Sequence, residues 1–155
     1  MANLQEYGIY KGEGRIHEEV IYSMALLYNL VNSEISLYLK DHNLTAGKLN
    51  ILIAINHYGK GKGLPQVEIS KHLIVTPSNM TKMVDKLEKE SLVERKALEG
   101  DRRVNIISVT KKGVTLLDSI WSDYNLKLKG LVGKISQEKQ KQLAAILTEW
   151  FDKLK

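Results

Sequence analysis

The sequence predicts a mainly α-helical protein with a small β-hairpin wing, a winged helix-turn-helix flanked by long N- and C-terminal helices. Three observations carry that expectation. Apolar residues recur at three- and four-residue spacings over most of the 155 residues. In the middle of the chain a short helical stretch, a tight turn and a second helical stretch are followed by two strand-like runs around Glu99-Gly100-Asp101. The charge is concentrated there too. Between Lys60 and Lys112 stand 12 Lys and Arg against 7 Asp and Glu, an excess that equals the whole net charge of +5.

The elements follow in order. Glu18 to Lys40 reads as a long helix through Val20, Met24, Leu27, Tyr28, Val31, Ile35 and Tyr38. Ile21, Leu30, Leu37 and Leu39 widen its apolar surface beyond one stripe, the pattern of a helix covered on more than one side and hence of an oligomer interface. A second helix opens at Leu44-Thr45 with Thr45 as N-cap, carries Leu49, Leu52, Ile53 and Ile55, and ends near Tyr58-Gly59. Gly59-Lys60-Gly61-Lys62-Gly63 is a loop. A short helix is expected from Pro65 to Leu73, packing through Val67, Ile69 and Leu73.

Thr76-Pro77 starts the next helix, with Met80, Met83, Val84 and Leu87 on one face and Ser78, Asn79, Lys82 and Lys86 on the other, ending near Ser91. Leu92 to Lys96 and Arg103 to Val109 are the expected strands. Thr110 caps a helix holding Leu117, Ile120, Trp121, Tyr124 and Leu128, interrupted by Gly130 and Gly133. Ser136 caps a last helix with a seam of Leu143, Ile146, Leu147, Trp150, Phe151 and Leu154.

Composition excludes several classes. With 43% hydrophobic and 26% charged residues the chain can bury an ordinary core. Cysteine is absent, which removes disulfides, Cys-ligated zinc and thiol chemistry. No apolar run approaches the ~18 residues of a spanning helix, so no membrane partner is expected. Met1-Ala2-Asn3-Leu4-Gln5-Glu6 lacks the features of a secretory signal, and a cytoplasmic location is expected.

The central constellation points to double-stranded DNA. A recognition helix must bury one face against its scaffold and present the other in a major groove. Ser78, Asn79, Thr81 and Lys82 lie in or near its first turn; Asn can bond adenine through two hydrogen bonds, and Lys can bond guanine or phosphate. The plain alternative is a solvated polar face. The hairpin tip, Leu98-Glu99-Gly100-Asp101-Arg102-Arg103, adds a wing with Arg for a minor groove, and Asp101 can orient Arg103 from two residues away. The expected DNA-contacting set is Thr76, Ser78, Asn79, Thr81, Lys82, Lys86, Arg95, Lys96, Asp101, Arg102 and Arg103.

On these residues the chain resembles the MarR family of winged-helix transcription regulators. The match runs through Leu44-Thr45, Glu68-Ile69-Ser70-Lys71-His72-Leu73 and Val75-Thr76-Pro77-Ser78-Asn79-Met80-Thr81-Lys82-Met83-Val84-Asp85-Lys86-Leu87-Glu88. It continues through Leu92-Val93-Glu94-Arg95, Asp101-Arg102-Arg103 and Val109-Thr110-Lys111-Lys112-Gly113, and covers about residues 18 to 155. The resemblance implies a homodimer formed by the first and last two helices, Arg103 as the minor-groove arginine steered by Asp101, and a ligand site between the dimer helices and the winged domain. It places residues 44–110 in the DNA-binding domain and 1–43 with 111–155 in the dimerisation region. Three positions depart from the family's pattern: Ser91 and Ile74 stand where glycine is usual, and Ser70 where alanine is common.

The function expected is that of a homodimeric repressor on a pseudo-palindromic operator, released by a small-molecule effector and needing no cofactor. Tyr28, His57 and Tyr58 are candidates for the effector pocket, each joining an apolar body to a polar tip. The alternatives are a winged-helix protein-interaction module and a metal-responsive regulator, the latter built for example from His17, Glu18, Glu19 and His42. No metal site is otherwise expected, since no two of the four histidines stand three or four residues apart. The glycine-lysine loop lacks the Gly-Lys-Ser/Thr string of a phosphate loop, and His17-Glu18 has no second His at position 21. No nucleophile motif suggests an enzyme.

Overall fold

The computed structural model describes residues 4–8, 12, 14–73, 77–98 and 100–155; for residues 4, 77, 78 and 101–103 it describes the backbone alone. The described elements are a 3-10 turn (Leu4–Tyr7), α1 (Ile16–Lys40), α2 (Ala46–Gly59), β1 (Leu64–Pro65), α3 (Gln66–Lys71), α4 (Pro77–Lys89), β2 (Val93–Leu98), β3 (Asp101–Val109), α5 (Lys111–Val132) and α6 (Gln137–Leu154). The chain divides into two compact units, residues 1–50 and 51–155.

The first unit holds α1 and the opening of α2. Leu39 is fully buried, while Val20, Met24, Leu27, Tyr28, Leu30 and Leu37 stand exposed. The α1 end is closed by Leu44 N–H donating to Leu39 O at 3.0 Å, with Asn43 in the left-handed region at φ 54°. Asparagine is among the few side chains that adopt this conformation readily. Thr45 then caps α2, its Oγ1 accepting from Lys48 N–H at 3.3 Å, as its position predicts.

The second unit carries the helix-turn-helix, the wing and both C-terminal helices. Its core is Ile51, Leu52, Ile55, Ile69, Met80, Val84, Leu87, Val93, Ile107 and Ile120, all at most 2% exposed. The sheet has three antiparallel strands in the order β1-β3-β2. β1 is absent from the sequence expectation. Pro65 does not open α3: its ψ of 138° is extended, so it pairs with Ile106 and occupies the N-cap position instead. Proline fixes φ but leaves ψ free to extend, which is why its position alone misplaces the helix start. Gly63, at φ +78°, makes this turn possible. A Cβ there would lie 2.6 Å from Ile107 O.

The remaining helix ends follow the sequence closely. Ser136 Oγ accepts from Lys139 N–H, capping α6. Gly130 does not interrupt α5, which runs on to Val132 and ends at Gly133. One isolated glycine costs a helix only about 1 kcal/mol, too little to break a six-turn element.

Candidate nucleic-acid interface

α4 begins at Pro77 and divides into two faces. Met80, Val84 and Leu87 are buried and Met83 half-buried, while Asn79, Thr81, Lys82 and Lys86 are exposed. This is the division the periodicity predicts. Each exposed residue carries a hydrogen-bond donor, and two carry a positive charge. Thr76 lies outside the described residues, and Ser78 is placed by its backbone in the first turn.

α3 packs against α4, β1 and β3. Of its expected packing residues Ile69 is fully buried, but Val67 is 68% exposed. The helix spans six residues, too short to bury more than one row. Val67 instead borders a cavity of about 350 Å³ with Pro65, Gln66, Ser70, Met80 and Thr81. On its rim Gln66 Nε2 donates to Thr81 Oγ1 at 2.8 Å, joining the start of α3 to the exposed face of α4. Gln66 does not stand out in the sequence, since nothing there shows which residue fifteen positions away it meets.

The wing is β2 and β3. Register runs regularly from Val93↔Val109 to Ala97↔Asn105, then jumps to Leu98↔Asp101. Residues 102–104 therefore bulge out of the ladder at the tip, and the backbone sets Arg102 and Arg103 there. Gly100, at φ +87°, makes the turn. Lower on the wing, Lys96 Nζ donates to Glu94 Oε1 at 2.7 Å, and Ser108 Oγ donates to the same oxygen at 3.2 Å. The Lys96 bond is the main reason the Glu94 carboxyl is held below its ordinary pKa.

Arg95 behaves differently from its basic neighbours. Its guanidinium turns toward α4, with Nη2 2.5 Å from Asp85 Oδ1 and Nη1 3.3 Å from Glu88 Oε2. Two carboxylates three residues apart on one helix face are visible in the sequence. Their partner, seven residues beyond on a strand, is not.

The far end of α4 is bound to the start of α5. Ser91 sits in the left-handed region at φ 59°, where the family pattern has glycine. Leu92 N–H donates to Leu87 O and Ser91 N–H to Glu88 O, closing the helix. Thr110 Oγ1 donates to Ser91 O at 2.7 Å and accepts from Gly113 N–H at 3.1 Å. Lys112 Nζ donates to Glu90 O at 2.8 Å. The Ile74 departure lies outside the described residues, and Ser70 Oγ donates to Val67 O within its own helix.

Two of the three candidate pocket residues, His57 and Tyr58, meet in the second unit. His57 lines a cavity of about 360 Å³ with Ile53, Asn56, Leu117, Asp118 and Trp121. The Tyr58 ring stacks on His72 at 3.9 Å and meets the His57 ring edge-on at 4.8 Å. Tyr28 is an exposed residue of α1. Among the described residues no three His, Asp or Glu side chains gather where they could hold a metal ion, and no helix is long and apolar enough to cross a membrane.

Comparison with known proteins gives the same picture. The MarR family profile matches residues 44–104. The chain is 28% identical over 120 residues to the HTH-type transcriptional regulator MhqR of Bacillus subtilis, covering 77% of this chain and 81% of that protein. It is 24% identical over 136 residues to the HTH-type transcriptional repressor MdtR of the same organism, covering 88% and 86%. The fold matches that of Sco3205, a MarR family transcriptional regulator of Streptomyces coelicolor solved in complex with DNA. The TM-score is 0.85 at 20% identity, over 94% of this chain and 92% of that one. These relatives are regulators, not enzymes.

Proposed function

Because the chain belongs to the MarR family of DNA-binding transcription regulators, we propose that it is a homodimeric repressor that reads a pseudo-palindromic operator and is released by a small-molecule effector. The observation that carries the DNA-reading part is the two-faced α4. It is anchored by Met80, Val84 and Leu87 and presents Asn79, Thr81, Lys82 and Lys86 outward. In this reading Thr76, Ser78, Asn79, Thr81 and Lys82 enter the major groove and Lys86 meets phosphate. The bulged tip brings Arg102 and Arg103 to the flanking minor groove, with Asp101 orienting Arg103 and Lys96 near the backbone. Residues 44–110 act as the DNA-binding domain.

The dimerisation region is 1–43 with 111–155. Its support is the long run of exposed apolar residues on α1 and, separately, on α6, where Leu143, Ile146, Leu147, Phe151 and Leu154 stand open. A repressor among the relatives supports the direction of regulation. The His57–Trp121 cavity, lined by aromatic, amide and carboxylate groups, is the proposed effector site because His57, one of the candidate pocket residues, lines it. A chain of this kind works in the cytoplasm, where its DNA is.

The test is fluorescence anisotropy against the DNA upstream of its own gene, with scrambled competitor and a salt series. Binding that resists scrambled competitor and weakens steeply with salt is expected. Weak binding that scrambled DNA removes equally would overturn the reading.

A further inference from the structure

We propose that Arg95 is a positioning residue for DNA reading: it clamps the recognition helix to the wing through Asp85 and Glu88 and makes no contact with DNA itself. The inference rests on the DNA-reading role of α4 proposed above and concerns how that helix is held.

The geometry is specific. Asp85 and Glu88 lie one turn apart on α4, and Arg95 projects from β2. The two ends of one planar guanidinium meet the two carboxylates, at 2.5 Å and 3.3 Å. A fork with fixed donor directions defines an angle between helix and strand, which a single lysine point charge cannot. The Arg95 side chain is only 24% exposed. Its Nε is buried with no hydrogen-bond partner among the described residues, so the group's hydrogen bonding is committed to its two Nη atoms. One cation between two carboxylates leaves the cluster net negative, so a phosphate approaching Arg95 meets repulsion rather than a free positive charge.

The same arrangement explains why a DNA-reading helix carries acidic residues. Asp85 and Glu88 oppose phosphate binding by charge alone. Held by Arg95, they hold the helix in register with the wing, so that Lys82 and Arg103 address their grooves together.

The experiment compares parent, Arg95→Gln, Arg95→Lys and Asp85→Ala on a duplex selected by the parent from a random library and on scrambled duplex, each across a salt series. The ratio of selected to scrambled affinity is expected to fall about tenfold in Arg95→Gln and in Asp85→Ala, the size of losing one base-reading contact. Arg95→Lys is expected to fall between these and the parent, and the salt slope to stay unchanged in all. Asp85→Ala is the sharpest variant, because charge alone predicts that deleting a carboxylate strengthens binding.

Two results of the binding comparison would overturn the clamp. One is a salt slope lowered by about one in Arg95→Gln, with equal losses on both duplexes, which marks a phosphate contact. The other is an Asp85→Ala protein that reads the selected duplex as well as the parent. Amide exchange of the free proteins decides the matter independently of DNA. Residues 79–89 are expected to exchange faster in both Arg95→Gln and Asp85→Ala, and unchanged exchange overturns the proposal. A parent that prefers no duplex would sink the proposed function while leaving the exchange comparison to judge the clamp.

Discussion

Asn79 and Lys82 can be placed from sequence because a helix repeats every 3.6 residues, so fixing Met80, Val84 and Leu87 inward leaves them outward. Their chemistry then predicts distinct losses. Lys82→Ala is expected to cost about 1–3 kcal/mol on the preferred duplex and little on scrambled DNA, measured by competition anisotropy. Arg103→Ala is expected to weaken both duplexes alike and to lower the salt slope by about one. Parent-like binding by Arg103→Ala would remove the wing from the proposed interface. Arg95 shows where this reasoning stops. A basic residue in Glu94-Arg95-Lys96 announces a charge but not its direction, and the carboxylate it meets is ten positions earlier on another element. Ser91 marks a different cost. At φ 59° a side chain is strained by about 1–2 kcal/mol, part of which Gly returns through its freer unfolded chain. Ser91→Gly is therefore expected to raise the melting temperature by about 2 °C, read by circular dichroism.

Among the elements, those with several turns or clear caps were legible. Thr45, Thr110 and Ser136 each accept the backbone N–H expected of an N-cap, because the preference is local and needs no tertiary partner. β1 was not legible. Two residues are too few for any alternation, and Leu64–Pro65 is a strand only because β3 lies beside it. The joint between α4 and α5 is likewise tertiary. Its Thr110-Lys111-Lys112-Gly113 string is recognisable, but its purpose appears only where Thr110 and Lys112 reach carbonyls at the end of α4. Gly113 is held there by space. A Cβ would overlap Leu92 O and lie 2.6 Å from Val109 Cγ1. Gly113→Ala is expected to destabilise the protein by about 2–3 kcal/mol, seen as a lower urea midpoint at unchanged m-value. A midpoint equal to the parent's would mean that the joint yields easily and that Gly113 is not held there by space.

For the whole molecule, the open question is what covers the apolar residues left bare on one chain. On α6 alone Leu143, Ile146, Leu147, Phe151 and Leu154 are between 39% and 74% exposed. α1 repeats the pattern in its own unit with Val20, Met24, Leu27 and Tyr28. Leaving so much apolar surface in water is unfavourable by about 25 cal/mol per Å², and a second copy offers the same surface in return. Burying it also serves recognition. In the proposed dimer, two recognition helices on one body would bind the second half-site intramolecularly, so affinity would depend on the seam as well as on the helix that reads the bases. Leu147→Glu with Phe151→Glu places two charges in that seam, on a helix that carries none of the proposed DNA contacts. The pair is expected to convert a dimer to a monomer in sedimentation velocity at micromolar concentration and to lower affinity for a full operator about a hundredfold. Affinity for an isolated half-site should stay within a factor of about three, since α4 and the wing are untouched. Retention of full-operator affinity by a monomeric variant would separate DNA reading from dimerisation and leave the bare faces to another partner.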